Sequence, residues 1–271
     1  MIDTPLVSVV IRTFNQPKEM LELTLNSIVN QTYQNWELII TDDSSSEDTK
    51  GVIDSFCSTE RRARVIRKPQ RMRLVGAMNI GIKECKGDYI AILDADDIAL
   101  PERFDKQLTY FGAHPECDIL GGAMNIINDK SEITSVRYYP EKGLKLLLWM
   151  IFRDPVGHPA VMFRRKVFDK GFYYDESMNS GCEDTEFWFR LRNNGFRIMN
   201  IQEPIVNYRV AEDMASKREK DNITNYNARK KNFSWKYCIF DVLSLISIRI
   251  RMHIPYSFVS WCYSKENKQK Y

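Results

Sequence analysis

The sequence predicts an α/β fold: an open, mostly parallel central sheet with helices on both faces, followed by a helical C-terminal extension. Three observations predict it. Short β-branched runs alternate with segments of helical periodicity through the first 120 residues. Two of those runs end in clustered carboxylates, at Asp42-Asp43 and at Asp94-Ala95-Asp96-Asp97. Beyond residue 208 the chain turns basic, with 13 Lys and Arg against 6 Asp and Glu, whereas residues up to 208 carry 26 against 30.

In chain order, Leu6-Val7-Ser8-Val9-Val10-Ile11 reads as a strand that delivers Arg12-Thr13-Phe14-Asn15 at its carboxyl end. Pro17 opens a helix in which Leu21, Leu25, Ile28 and Val29 share one face. Trp36 to Thr41 forms the second strand, running into Asp42-Asp43-Ser44-Ser45-Ser46. Strand, helix and strand at this spacing imply a parallel pair joined by a right-handed crossover. A helix containing Ile53 and Phe56, a short strand near Val65-Ile66 and a helix from about Leu74 to Cys85 repeat the pattern. The Ile-rich run after Gly87 is the central strand, and it stops at the aspartates ahead of Pro101. Phe104, Leu108 and Phe111 then mark a helix, and Cys117 to Gly122 a strand. Ligands of such sheets sit at the carboxyl ends of the strands, where Phe14, Asp43, Asp94 and Asp96 would gather.

These residue types suggest chemistry, each beside a plainer use. In an extended chain Asp94 and Asp96 project to one side. Two carboxylates about 4 Å apart repel by roughly 4 kcal/mol at an effective dielectric near 20, which invites a proton or a hard cation such as Mg²⁺ or Mn²⁺. The plainer use is capping of the helix begun by Pro101-Glu102-Arg103, for which Asp97 is placed. Phe14 is available to stack on a base or to fill the core, and Asp43 to accept from a ring N–H or to cap a turn. No G-x-G-x-x-G follows the first strand, which argues against a dinucleotide held by its pyrophosphate. Glu183-Asp184 precede a helix with Phe187, Trp188 and Leu191, closed by Asn193-Asn194-Gly195; they suit an N-terminal cap or a general base. With three histidines and six cysteines lacking CxxC spacing, neither a zinc site nor a disulfide framework is supported. No signal peptide and no apolar run of about 20 residues is present, so a cytoplasmic protein is expected.

The ordered set of blocks resembles the family 2 glycosyltransferases, inverting nucleotide-sugar enzymes of the GT-A fold. Val7 to Asn15 is similar to the family's opening strand, Ile28-Val29-Asn30-Gln31-Thr32-Tyr33 to its first helix end, and Glu37 to Ser45 to its second strand. Asn79-Ile80-Gly81-Ile82, Lys86-Gly87-Asp88-Tyr89-Ile90 and Asp94-Ala95-Asp96, the family's D-x-D, come next, followed by Gly157 to Arg165 and Glu183 to Leu191. The resemblance covers about residues 5 to 210. It implies that Thr13, Phe14, Asn15, Asp43, Arg73, Asn79, Asp94, Ala95 and Asp96 bind the nucleotide sugar. Asp94 and Asp96 would hold Mn²⁺ or Mg²⁺, and Asp184 would be the catalytic base. His158, Glu183 and Trp188 would lie on the acceptor side. The donor would be a nucleoside-diphosphate sugar of the UDP type and the acceptor a glycan or a lipid-linked glycan of the cell envelope. Two departures stand out: Met78 occupies a place where the family often has Arg, leaving Arg73 or Arg71 to serve the diphosphate, and Ala211 stands near a common histidine position.

Residues 1–210 are thus expected to form the transferase domain, with 1–120 as the nucleotide-sugar half and 121–210 as the acceptor half, and 211–271 to form a basic, mainly helical extension. Leu144 to Phe152, nearly continuously apolar, reads as a buried helix over the acceptor side or as a docking surface for a lipid-linked acceptor. In the extension, Phe240, Leu243, Ile246 and Ile250 recur at helical spacing near Arg249 and Arg251, before Tyr256, Phe258, Trp261 and Tyr263. That stripe suits packing on the domain, a second copy of the chain, or an anionic membrane at the inner face of the cytoplasmic membrane. Nucleic acid is not expected, because the basic residues form no binding module. The rival readings are a nucleotide-sugar-binding protein without catalysis and a nucleotidyltransferase, the latter disfavoured by the missing Gly-rich, basic loop.

Overall fold

Three of the first four strands form from nearly continuous apolar runs, the pattern of strands covered on both faces. The computed structural model describes residues 4–178, 181–210 and 218–253. In it, β1 (Val7–Thr13), α1 (Lys18–Val29), β2 (Trp36–Asp42), α2 (Glu47–Thr59), β3 (Ala63–Ile66), α3 (Arg73–Lys83) and β4 (Tyr89–Asp94) follow in order. β1 lies between β2 and β4, parallel to both, with Val9 opposite Leu38 on one side and Ala91 on the other. β3 extends β2 in parallel.

After the acidic turn come β5 (Ile98–Ala99), α4 (Arg103–Ala113), β6 (Ile119–Ile127), β7 (Ile133–Arg137), α5 (Gly143–Met150), β8 (Met162–Arg164), α6 (Lys166–Asp169), α7 (Glu183–Asn193) and β9 (Ile198–Arg209). They complete a nine-stranded sheet in the order β3-β2-β1-β4-β8-β6-β9-β5, with β7 on β6. The long ladders are parallel, while short β8 runs antiparallel between β4 and β6. The α/β fold with a mostly parallel sheet is as the sequence predicts.

Alternation along the strands sends side chains to two cores. Val9, Ile11, Leu38 and Ile40 pack with Leu21 and Leu25 of α1. Val10, Ile39, Ile90 and Ile92 pack with Val75 and Ile82 of α3 and with Phe163, Phe187 and Trp188. Gly81 lets α3 lie directly on β1: a Cβ there would come within 2.6 Å of Val10 Cγ1.

Several sequence-based expectations shift. α4 begins at Arg103, two residues after Pro101, and β6 runs on to Ile127, well past Gly122. α5 is not a buried helix: Leu146 and Met150 are covered, but Leu144, Leu148 and Phe152 are exposed.

The extension contains α8 (Arg218–Lys231) and α9 (Cys238–Arg251), joined by a 3₁₀ turn at Trp235–Tyr237. On α9 the buried residues are Asp241, Ser244 and Ile248, while Leu243, Ile246 and Ile250 face outward. Polar contacts hold this inner face: Arg192 of α7 donates to Asp241 at 2.9 Å, and Arg229 of α8 donates to Ser244 Oγ at 2.6 Å and to Met150 O at 2.6 Å. Ala211, Lys217, Tyr256, Phe258, Trp261 and Tyr263 lie outside the described residues. Among the described residues, the cysteines are free thiols and no helix is long and apolar enough to cross a membrane.

Candidate active site

β1, β2 and β4 end side by side, so the loops that follow them share one edge of the sheet. Phe14, just past β1, is 49% exposed, which removes the core reading, and the Arg71 guanidinium stands 4.3 Å over its ring. Asn15, at φ +51°, clamps two loops together. Its Oδ1 accepts from the backbone N–H of Ser45 at 2.8 Å and of Ser46 at 2.9 Å, and its own N–H donates to Ser44 Oγ at 2.9 Å. Asp43 receives the backbone N–H of Met72 at 2.9 Å and of Arg73 at 2.8 Å, one on each oxygen, which fixes the entry to α3. Thr13 is buried, with an Oγ1 that has no hydrogen-bond partner. The Ala95 carbonyl accepts from Thr24 Oγ1 at 2.9 Å.

The strand alternation expected for Asp94 and Asp96 stops at Asp94. There the Asp97 N–H donates to Asp94 O at 3.1 Å and closes a turn. Asp97 is not the cap of α4: it is fully buried, its Oδ1 accepts from the Arg209 N–H at 2.7 Å, and its Oδ2 has no partner. Arg209, at the end of β9, also donates to Asp96 O at 3.0 Å and to Asn128 O at 2.7 Å, bracing the turn. Burial, then the charge of Asp94, pushes the Asp96 carboxyl above its ordinary range. Burial and both neighbours push Asp97 well above it. A crowded, partly shielded acidic turn of this kind fits a hard divalent cation. Among the described residues no three His, Cys, Asp or Glu side chains are grouped to hold an ion; Asp94 and Asp96 are the residues of this turn that would hold one.

Across the crevice, Cys182 in a left-handed conformation (φ +62°) turns the chain into α7. Asp184 Oδ1 accepts from the Thr185 N–H at 2.7 Å. Burial, with the charges of Asp154 and Glu183, holds Asp184 well above the usual carboxylate range. Asp154 is itself raised by burial and accepts from Thr185 Oγ1 at 2.8 Å. Arg12 joins the two halves: its Nη2 lies 3.5 Å from Asp94 Oδ1 and 4.0 Å from Glu183 Oε1, while its buried Nε has no partner. His158, in a 3₁₀ turn, sets Nε2 3.0 Å from the Tyr174 hydroxyl, and burial lowers its pKa to about 4, so the imidazole is neutral at pH 7. Arg12, Met78, His158, Tyr174 and Glu183 line one narrow crevice.

Two expected contacts are placed elsewhere. Trp188 is a core residue, 0% exposed and stacked on Phe163 with ring centroids 5.9 Å apart, because the α7 face that carries Phe187 and Leu191 turns onto the sheet. It presents no ring to an acceptor. Asn79 is on the buried side of α3, and its amide pairs with the backbone of Tyr174, donating to O at 2.9 Å and accepting from N–H at 3.0 Å. It anchors the segment that supplies the crevice with Tyr174.

The profile described as "Glycosyl transferase family 2" matches residues 8–172, more than half of the chain. The chain belongs to glycosyl transferase family 2. It is 30% identical over 240 residues to the uncharacterized glycosyltransferase MJ1057 of Methanocaldococcus jannaschii, a match covering 87% of this chain and 81% of that one. It is 30% identical over 214 residues to the amylovoran biosynthesis glycosyltransferase AmsE of Erwinia amylovora, covering 78% and 79%. Among solved structures, S. aureus TarS 1-349 in complex with UDP-GlcNAc superposes with a TM-score of 0.64 at 18% identity, covering 84% of this chain and 70% of that one. The chain spans 39% of a longer TarS chain. The TarS likeness is one of fold and bears out the GT-A expectation.

Sequence reasoning missed three residues of this glycosyltransferase's site. Arg12 is one residue before the noted Thr13, and its bridging position depends on α7 lying across the sheet. Asp154 follows an apolar helix and carries no local signal beyond its charge. Arg209 carries no local signal beyond its charge, yet it braces the acidic turn from 113 residues away.

Proposed function

We propose that this glycosyltransferase is inverting and metal-assisted, and moves a sugar from a UDP-sugar to a hydroxyl acceptor in polysaccharide or lipid-linked glycan assembly. The observation that carries the reading is Arg12, which spans from Asp94 at the end of β4 to Glu183 at the start of α7. Arg12 thereby ties an acidic turn suited to a leaving-group cation to the helix start that carries a raised carboxylate suited to a base. The UDP-GlcNAc complex of TarS supports the donor class, and the naming of AmsE supports the biosynthetic setting.

In this reading Phe14 stacks on the base, and Asp43, fixed by two backbone N–H groups, offers a remaining lone pair to a ring N–H. Asn15 holds the loops that frame the nucleotide, and Thr13 and the Ala95 turn form its floor. Asp94 and Asp96 hold Mn²⁺ or Mg²⁺, which when bound neutralises charge on the departing diphosphate. Arg73, at the entry to α3, and the unpartnered Nε of Arg12 add fixed positive charge nearby.

Asp184 accepts the proton of the acceptor hydroxyl as that oxygen bonds to the anomeric carbon, on the face opposite the leaving diphosphate, which inverts the configuration. A raised pKa makes the ionised Asp184 a stronger base than an ordinary carboxylate. Glu183 and neutral His158, held by Tyr174, orient the acceptor.

Calorimetric titration with UDP, GDP and dTDP, each with Mn²⁺ and with EDTA, tests the donor half. UDP binding that needs Mn²⁺ and disappears in Asp96→Ala is the expected result. Metal-independent UDP binding, unchanged in that variant, would overturn the role of the acidic turn; preference for GDP or dTDP would overturn the donor assignment.

A further inference from the structure

α9 is built inside out. Its inner face is polar at Asp241 and Ser244, matched by Arg192 and Arg229, while its outer face carries Ile239 (70% exposed), Val242, Leu243, Ile246 and Ile250 (55%). At 100° per residue these five fall within one stripe of about 100°. α5 packs against α9 and repeats the arrangement, with Leu144, Leu148 and Phe152 exposed at spacings of four. The two helices are tied where Ser247 Oγ donates to Ile151 O at 2.7 Å and Arg251 donates to Phe152 O at 2.7 Å. Trp235, 85% exposed, stands at the head of α9.

Among the described residues, the exposed charges of α5 and α9 have one sign. Lys145, Lys236 and Arg249 are exposed beside the stripes, whereas α5 has no acidic residue and the single acid of α9, Asp241, is buried against Arg192. Apolar side chains rimmed by cations, with an exposed tryptophan, complement an anionic bilayer, where apolar groups enter the acyl boundary and Lys and Arg meet lipid phosphates. The face also adjoins the acceptor end of the site: Asp154, two residues past Phe152, is bonded to Thr185 and raises Asp184.

We propose that the α5–α9 face is a membrane-docking surface, which seats the glycosyltransferase on an anionic lipid bilayer with the acceptor end of its crevice beside the lipid. A second copy of the chain would also cover apolar side chains. It would, however, bring the same cation-bearing patch of both copies together, since a two-fold contact uses one surface twice and offers these cations no acidic partner.

Flotation of the full chain with phosphatidylcholine vesicles, with and without phosphatidylglycerol, tests the proposal without donor or acceptor, so its failure leaves the proposed reaction untouched. Vesicles containing phosphatidylglycerol should carry the protein, and pure phosphatidylcholine should carry much less. Ile246→Glu/Ile250→Glu should abolish flotation with unchanged melting, because both positions are exposed. Lys145→Gln and Arg249→Gln should each weaken it about fivefold. Three results would overturn the proposal: no flotation with anionic vesicles, flotation indifferent to Ile246→Glu/Ile250→Glu, or a dimer in sedimentation that this variant disperses while vesicles fail to bind.

Discussion

Two acids at the donor end, Asp43 and Asp94, and two at the acceptor end, Asp154 and Asp184, are held in opposite ways. At the donor end Asp43 takes a backbone N–H on each oxygen and Asp94 faces Arg12, so donors hold these two acids and set loop geometry, while Asp96 and Asp97 of the neighbouring turn are pushed up by burial. At the acceptor end Asp184 and Asp154 are half-buried on either side of Thr185, and both are pushed above the ordinary carboxylate range. An acid held by donors organises a binding site. One held against its own ionisation is suited to taking a proton, and it lowers the stability of the fold.

The comparison breaks most sharply at Asp184. Asp184→Asn should lower kcat by about 10²- to 10⁴-fold, with UDP affinity retained in calorimetry; unchanged turnover would remove it as the base. The same variant bears on stability. A carboxyl raised in the folded state binds more protons there than in the unfolded chain, so wild-type stability falls as pH rises through the raised value. Asp184→Asn should therefore melt higher than wild type at pH 8, with the gain vanishing near pH 4.

At the donor end the sign reverses. Asp43→Ala leaves the N–H groups of Met72 and Arg73 without their acceptor and should destabilise the protein by about 1–3 kcal/mol in urea titration, with weaker UDP binding as the entry to α3 loosens. Phe14→Ala should leave stability unchanged, since the ring is half exposed, and cost roughly 1–2 kcal/mol of UDP affinity if base stacking is its role. The smallest effect is a displacement along the pH axis. Asp154→Asn removes a negative neighbour of Asp184, so the acidic limb of the kcat profile should move to lower pH; a limb that stays in place would show that burial and Glu183 raise Asp184 without Asp154.

Much of the first half was legible because its signals are local. Apolar runs of strand length, helix faces at Leu21, Leu25 and Ile28, and carboxylates at strand ends each depend on a dozen neighbouring residues, and β1 to β4 and α1 to α3 appear where those signals place them. The insertion of β8 between β4 and β6 was not legible. Strand partners are chosen by whichever edge is available once the other elements have docked, and three residues at Met162–Arg164 do not encode that choice. Trp188 and Asn79 show the same limit at single residues, since their types suited a ligand while their faces turned inward.

α9 states the division most clearly. The sequence by itself determined that this helix has an apolar stripe, because a 3.6-residue period is a property of local order. Only the tertiary structure decided that the stripe faces outward, because Asp241 and Ser244 on the opposite face find Arg192 and Arg229 on the two preceding helices, packed against α9. The same holds for the site. Clustered aspartates and the Glu183-Asp184 pair were written in the sequence, but Arg12 between them and Asp154 beside Asp184 were set by packing. Charge interactions act through space and are blind to sequence separation.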